Sequence, residues 1–272
     1  MKILLCTDGS TNGLSAVHLG CIISARTNAH LTLLCVMEDK RRNLDQAFER
    51  AVAVAQASGV EFNSISRFGR QIEEMLTQML DIEYDLVIVG YYARSFLEKM
   101  IWGSLAARIA HELPVSVLIV RDKRDTIDHM LIGISGGGFT QDCTDWGGSI
   151  AIAFDAQVTL LHVSPAPPLM YAGLEEVKKT LAEFLQTDTS EAHAMRQAVA
   201  SLDELGVDAT VELAYGLPER ELLRVAHEHD VDLLIIGSAW AAQPLSRAFL
   251  RNITEKVLLN TRRPVLVVRP TE

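Results

Sequence analysis

The residues with the clearest chemical use lie where short apolar runs end. Lys2–Cys6 runs into CTDGS (6–10), which leaves Asp8 between a strand and a helix as a fixed carboxylate or a helix cap. A later run, Leu86–Val89, ends in Gly90, and GYYARSFLEKMIWGS (90–104) then leads into a helix beginning near Leu105. Gly90 allows close backbone approach, while Gly103 and Ser104 put free amides and a hydroxyl at a helix N-terminus, an arrangement that cradles phosphate. Arg94 adds positive charge in the same loop. Singly, each residue has a plain structural use as a cap, a turn or a helix start. Their joint occurrence points to an anion site.

Other motifs are weaker. ISGGGFT (134–140), at a strand end, is similar to the SGGxDS loop of ATP-pyrophosphatase enzymes that adenylate substrates, but Phe139 stands where that loop needs its aspartate. HEHD (227–230) lacks HExxH spacing, and histidines two apart do not share a helix face, so no zinc site is expected. His18, His111 and His162 are isolated, and no serine sits in a nucleophile elbow. The cysteines at 6, 21, 35 and 143 have no CxxC or metal-ligand spacing and read as buried free thiols. We find no catalytic constellation.

These residues need elements to position them. Lys2–Cys6, Leu31–Val36, Glu61–Ser66, Leu86–Val89 and Val115–Val120 read as strands. Between them Leu14–Ser24, Leu44–Ala57, Ile72–Leu80 and Leu105–His111 carry apolar residues at three- and four-residue steps, the signature of amphipathic helices. Strands separated by helices make a parallel sheet covered on both faces, because parallel neighbours need crossover connections. Ligands of such sheets bind beyond the carboxyl ends of the strands, where Asp8 and Gly90 fall.

The list then repeats, with strands at Met130–Ile134, Val158–Val163, Ala209–Ala214, Leu233–Ile236 and Val265–Val268. TLLCV (32–36) lies over TLLHV (159–163) at an offset of 127, and YDLVIVG (84–90) over VDLLIIG (231–237) at 147. The second copy thus gains 20 residues between its second and fourth strands, mostly in the helical stretch Leu174–Leu205, whose Val177, Leu181 and Phe184 share one face. VLIVR (117–121) lies over VLVVR (265–269) at an offset of 148. The charged, aperiodic segment Asp122–Ile127 marks the boundary, giving domains 1–126 and 127–272. The fold class is therefore α/β, with two repeated, open, five-stranded parallel-sheet domains.

Composition limits the functions on offer. Formal charge is −10, from 25 Lys+Arg against 35 Asp+Glu, which argues against nucleic acid because phosphate backbones are bound by clustered cations. Divided after Thr126, the first part holds 14 basic and 15 acidic residues and the second 11 and 20, so an anion is better tolerated in the first. No stretch approaches the ~20 apolar residues of a bilayer span, and Asp8 comes too early for a secretory leader. We expect a cytoplasmic protein with no membrane insertion.

At this point the chain resembles the universal stress protein family in its tandem form. The resemblance covers nearly all 272 residues and rests on CTDGS, LTLLCV, YDLVIVG, the GS helix start, and the closing VLIVR and VLVVR. It implies a Rossmann-like fold of the adenine nucleotide α-hydrolase type. The family's nucleotide pattern, G-x2-G-x9-G-[S/T], is matched by Gly90, Gly103 and Ser104, with Ala93 in place of the second glycine. By this resemblance Asp8 and the backbone of Val36 hold the nucleoside end of ATP, AMP or ADP, with Mg as a candidate companion ion, and Gly103, Ser104 and Leu105 hold the phosphates. The second copy departs from the pattern, with Ser135, Trp240, Arg251 and Asn252 at the positions of Asp8, Ala93, Gly103 and Ser104. It reads as degenerate for ATP.

The resemblance implies a regulatory or stress-survival role with at most slow ATP hydrolysis. Family dimers pair antiparallel at the last strand, so the two copies are expected to pair through Val117–Val120 and Val265–Val268, with further homo-oligomers open. Two alternatives stand beside this reading: a ligand-free interaction module, motivated by Ala93 and the degenerate copy, and an adenylating enzyme, motivated by SGGGF.

Overall fold

A computed structural model describes residues 1–91, 105–136, 139–165, 179–238 and 253–270 of the chain. They form two compact units.

The first unit takes in Met1–Ile127 together with Arg262–Arg269. Its elements are β1 (Lys2–Thr7), α1 (Thr11–Thr27), β2 (His30–Met37), α2 (Leu44–Ala57), β3 (Phe62–Phe68), α3 (Gln71–Asp81), β4 (Leu86–Gly90), α4 (Leu105–Glu112) and β5 (Ser116–Val120). The strand order is β3-β2-β1-β4-β5, all parallel. After Lys2, β1 is buried throughout, β4 almost throughout and β5 entirely, as a sheet covered on both faces requires, whereas β3 at the edge has only half-buried and exposed positions. The last strand of the chain, β10 (Val265–Val268), also belongs to this unit. It runs antiparallel to β5, with Leu266 opposite Leu118, and both side chains are buried.

Local chemistry sets the ends of α1. Ser10 is its N-cap and accepts a 3.2 Å hydrogen bond from the Gly13 amide, while Asn28 closes it in the left-handed conformation. Asp8 is therefore not the cap. The sequence left that role open, and Ser10 fills it.

The second unit is built on Asp128–Thr261. It contains β6 (His129–Ile134), α5 (Phe139–Phe154), β7 (Gln157–Ser164), α6 (Leu181–Leu185), α7 (Ser190–Glu204), β8 (Ala209–Tyr215), α8 (Pro218–Glu228), β9 (Leu233–Gly237) and a helix, α9, over 253–260. The order β9-β6-β7-β8 is parallel and reproduces β4-β1-β2-β3 of the first unit.

Register fixes where the second copy is longer. Ile3 faces Leu31 as Met130 faces Val158, and Leu31 faces Phe62 as Val158 faces Ala209. The offset is thus already 147 at the third strand, so the added residues lie between the second and third strands. The helical stretch read over Leu174–Leu205 is interrupted, with α6 ending at Leu185 and α7 starting at Ser190. Leu174 and Val177 lie outside the described residues; Phe184 is buried and its ring stacks on His162, with centroids 5.0 Å apart.

Among the described residues, no helix is long and apolar enough to cross a membrane.

Candidate functional site

Parallel register brings the candidate residues of the first unit to one edge. Thr7 pairs with Cys35 and Cys6 with Val89, so Asp8, Val36 and Gly90 follow at the carboxyl ends of β1, β2 and β4. Val36 is fully buried. Asp8 is held on both oxygens: Oδ1 accepts from the Ser10 amide at 3.0 Å, and Oδ2 lies 3.4 Å from Arg42 Nη1. Its side chain is 5% exposed and that of Arg42 46%, so a buried carboxylate meets a guanidinium that reaches solvent.

Two glycines shape this edge. Gly9 adopts φ +73° and packs on α2, where an added Cβ would lie 2.6 Å from that of Ala47. Gly90 permits a close approach: an added Cβ would stand 2.5 Å from the Asn12 carbonyl oxygen and 2.6 Å from the Gly13 nitrogen. The first turn of α1 therefore rests directly on the end of β4. Asn12 Nδ2 donates to the Tyr91 carbonyl at 2.8 Å and locks the junction. Gly90 thus has a packing role beside any role toward a ligand.

Tyr91 continues the edge. Its amide donates to the Val120 carbonyl, and the Arg121 guanidinium lies 3.3 Å from the centre of its ring. Of the remaining candidates, Leu105 begins α4, while Ala93, Arg94, Gly103 and Ser104 lie outside the described residues.

Arg42, Asn12 and Arg269 are structural participants that sequence reasoning missed. Arg42 precedes α2 in an aperiodic segment, and Asn12 looks like any polar residue of a first helical turn. Arg269 is buried: its amide donates to Ser116 Oγ at 3.1 Å, and Nη2 donates to the Ala110 and His111 carbonyls at 3.0 and 2.8 Å. It caps the end of α4, where backbone carbonyls lack helical partners. The VLVVR match to the earlier VLIVR was the available signal.

The thiols are all buried and free. Burial, with the Cys35 and Asp8 charges adding, raises the Cys6 thiol far above its usual range, and burial beside Asp8 raises Cys35 to about 11. Burial also raises Cys143. Such groups stay protonated and unreactive at neutral pH. Among the described residues no group of three His, Cys, Asp or Glu side chains could hold a metal ion.

The matching edge of the second unit has the same backbone and different chemistry. Gly136 repeats Gly9 with φ +71°, against Glu191 of α7, and Gly237 repeats Gly90, with an added Cβ 2.9 Å from Phe139 Cβ. Ser135 replaces Asp8 and Phe139 replaces Asn12. His162, at the position of Cys35, donates from Nδ1 to the Ile134 carbonyl at 2.9 Å. Gly137 and Gly138 of the SGGGF loop, with Trp240, Arg251 and Asn252, lie outside the described residues.

Comparison with known proteins agrees with this architecture. The family model described as the universal stress protein family matches residues 38–121 and again 126–269. The universal stress protein MJ0531 of Methanocaldococcus jannaschii is 26% identical over 151 residues, 56% of this chain and 87% of its own. The universal stress protein YxiE of Bacillus subtilis is 26% identical over 145 residues, 52% of this chain and 97% of its own. Each thus spans about half of the chain. Over the whole length, the crystal structure of a universal stress protein from Archaeoglobus fulgidus superposes with a TM-score of 0.70 at 16% identity, covering 100% of this chain and 97% of that one. With the family model matched twice along one chain and a solved fold matching it end to end, this protein belongs to the universal stress protein family.

Proposed function

We propose that the first unit binds an adenine nucleotide, ATP foremost, at the carboxyl ends of β1, β2 and β4, and that the protein is a cytoplasmic regulator acting in stress survival. The observation that carries this is the convergence of Asp8, Val36 and Gly90 at one sheet edge, with the Asp8 carboxylate buried yet reached from solvent through Arg42. In this reading Asp8 and the Val36 backbone receive the nucleoside. Gly103, Ser104 and Leu105 receive the phosphates next to α4, with Ala93 and Arg94 earlier in the same motif. Mg would enter with the triphosphate, since Mg commonly keeps its waters and binds through substrate phosphates. The second unit, lacking the Asp8 carboxylate, binds no ATP.

The rival reading, an interaction module without ligand, draws on Gly90, whose lack of a side chain is already accounted for by Asn12 and Gly13. Native mass spectrometry of gently purified protein separates the two. A retained adenine nucleotide supports binding, and its mass after incubation reports any hydrolysis. Protein that stays free of nucleotide after incubation with millimolar ATP supports the module.

We also propose that the two sequence copies pair through Val117–Val120 and Val265–Val268. Its test is a Leu118→Cys, Leu266→Cys double variant, in which a disulfide formed within a single chain supports the pairing and a covalent dimer opposes it.

A further inference from the structure

The second unit carries a cleft of about 230 Å³ at the carboxyl ends of β6, β7 and β9. Its walls include Ile134, Phe139, Leu161, Val163, Leu222 and Ile236. Four polar residues line it as well: Ser135, His162, Glu191 and Thr254. No Lys or Arg lines it among the described residues, and Glu191 brings a carboxylate.

This cleft occupies the place in the second copy that the Asp8 edge occupies in the first, but its side chains differ in chemistry. Asp8 has become Ser135, and the amide of Asn12 has become the phenyl ring of Phe139. His162 is fixed by its hydrogen bond to the Ile134 carbonyl and by stacking on Phe184, which comes from the segment added between the second and third strands. Glu191, seated on Gly136 in the first turn of α7, belongs to the counterpart of α2, whose Ala47 sits on Gly9 in the first copy. The extra length in this copy thus supports the cleft through Phe184, which holds the His162 ring.

From this we infer that the second unit binds a small aromatic molecule, uncharged or cationic, in the cleft between Phe139, Val163 and Glu191. Volume sets the size: apolar cavities of ~150 Å³ hold benzene, and sites for drug-sized ligands begin near ~300 Å³, so a two-ring compound fits. Charge sets the class. A phosphate or carboxylate would meet Glu191 with no opposing cation among the described lining residues, whereas an ammonium or ring N–H finds an acceptor there. The inference does not depend on nucleotide binding by the first unit.

The test uses three probes sharing one ring system, indole, tryptamine and indole-3-acetate, titrated into the full chain by ligand-observed NMR. Saturable binding is expected for indole and tryptamine, with tryptamine at least tenfold tighter than indole-3-acetate. Glu191→Gln should remove most of that preference while indole binding persists. Ser135→Trp, at an exposed position on the rim, and Val163→Phe, within the cleft, should each weaken all probes tenfold or more. Circular dichroism identifies a variant that has failed to fold, and the other two then carry the test. Gly103→Val in the first unit should leave indole binding unchanged, and ATP should not displace it. The inference is overturned by no saturable indole binding, by indole-3-acetate binding as tightly as tryptamine, by indole affinities unmoved in folded Ser135→Trp and Val163→Phe, or by displacement with ATP.

Discussion

Arg42 Nη1 stands 3.4 Å from Asp8 Oδ2 and joins the loop ahead of α2 to the end of β1. The other carboxylate oxygen accepts from the Ser10 amide, so Asp8 organises both the start of α1 and the approach to α2. Asp8→Asn keeps an acceptor for Ser10 but removes the charge that holds Arg42. We expect the fold to survive and ATP affinity in the first unit to fall about tenfold or more, in keeping with the roughly 1.5–3 kcal/mol of a hydrogen bond to a charged group. Calorimetric titration of wild type and variant checks this, with unfolding followed in parallel.

The paired glycines predict unequal costs for one substitution. Gly90→Ala forces a methyl group against backbone atoms of Asn12 and Gly13, which cannot turn aside, whereas Gly237→Ala meets the Phe139 side chain at a longer distance. We expect Gly90→Ala to cost about 3 kcal/mol and Gly237→Ala about 1 kcal/mol. Denaturant unfolding of the two variants measures the difference, and the reverse order would contradict the close approach at β4.

Arg269 is expected to be a stability residue of the first unit. Arg269→Met keeps much of the side-chain volume but strips the Ala110 and His111 carbonyls of their donor, at a cost of about 2–4 kcal/mol. Because the bonds are buried, the loss should change little between low and high salt.

Much of this fold was legible in the sequence because the strands are continuous apolar runs and the repeat supplies each of them twice. The strand ends carrying Asp8, Val36 and Gly90 followed from the same pattern. Arg42 and Asn12 were not legible, since their roles depend on which loop crosses which strand end and neither has periodicity. The location of the extra residues was also ambiguous: β3 and β8 alternate weakly and differ in sequence, so only the Phe62 and Ala209 registers fix it. The cleft of the second unit was not legible, because Phe139 and Glu191 are far apart in the sequence and meet only through the seating of α7 on Gly136.

A pH dependence follows from Glu219 in the first turn of α8. The hydrogen bond from Lys256 Nζ, 2.8 Å away, is the main cause that lowers its carboxyl below the usual range. A depressed folded value means the contribution is full above the unfolded glutamate pKa of ~4.3 and fades as pH falls through the lower folded value. Glu219→Gln should therefore destabilise the second unit by about 1–2 kcal/mol at pH 7. The gap to wild type should shrink below about pH 4. Thermal unfolding across pH 3–7 gives the profile, and a gap that stays constant would contradict the ion pair.

The number of adenine nucleotides bound per chain tests the central claim most directly. Isothermal titration of ATP into wild type and Gly103→Val should give one site per chain in the first and none in the second, because a branched side chain at position 103 fills the start of α4 where the phosphates are proposed to lie. Two equivalent sites in wild type, or one site that persists in Gly103→Val, would contradict the assignment of ATP to the first unit.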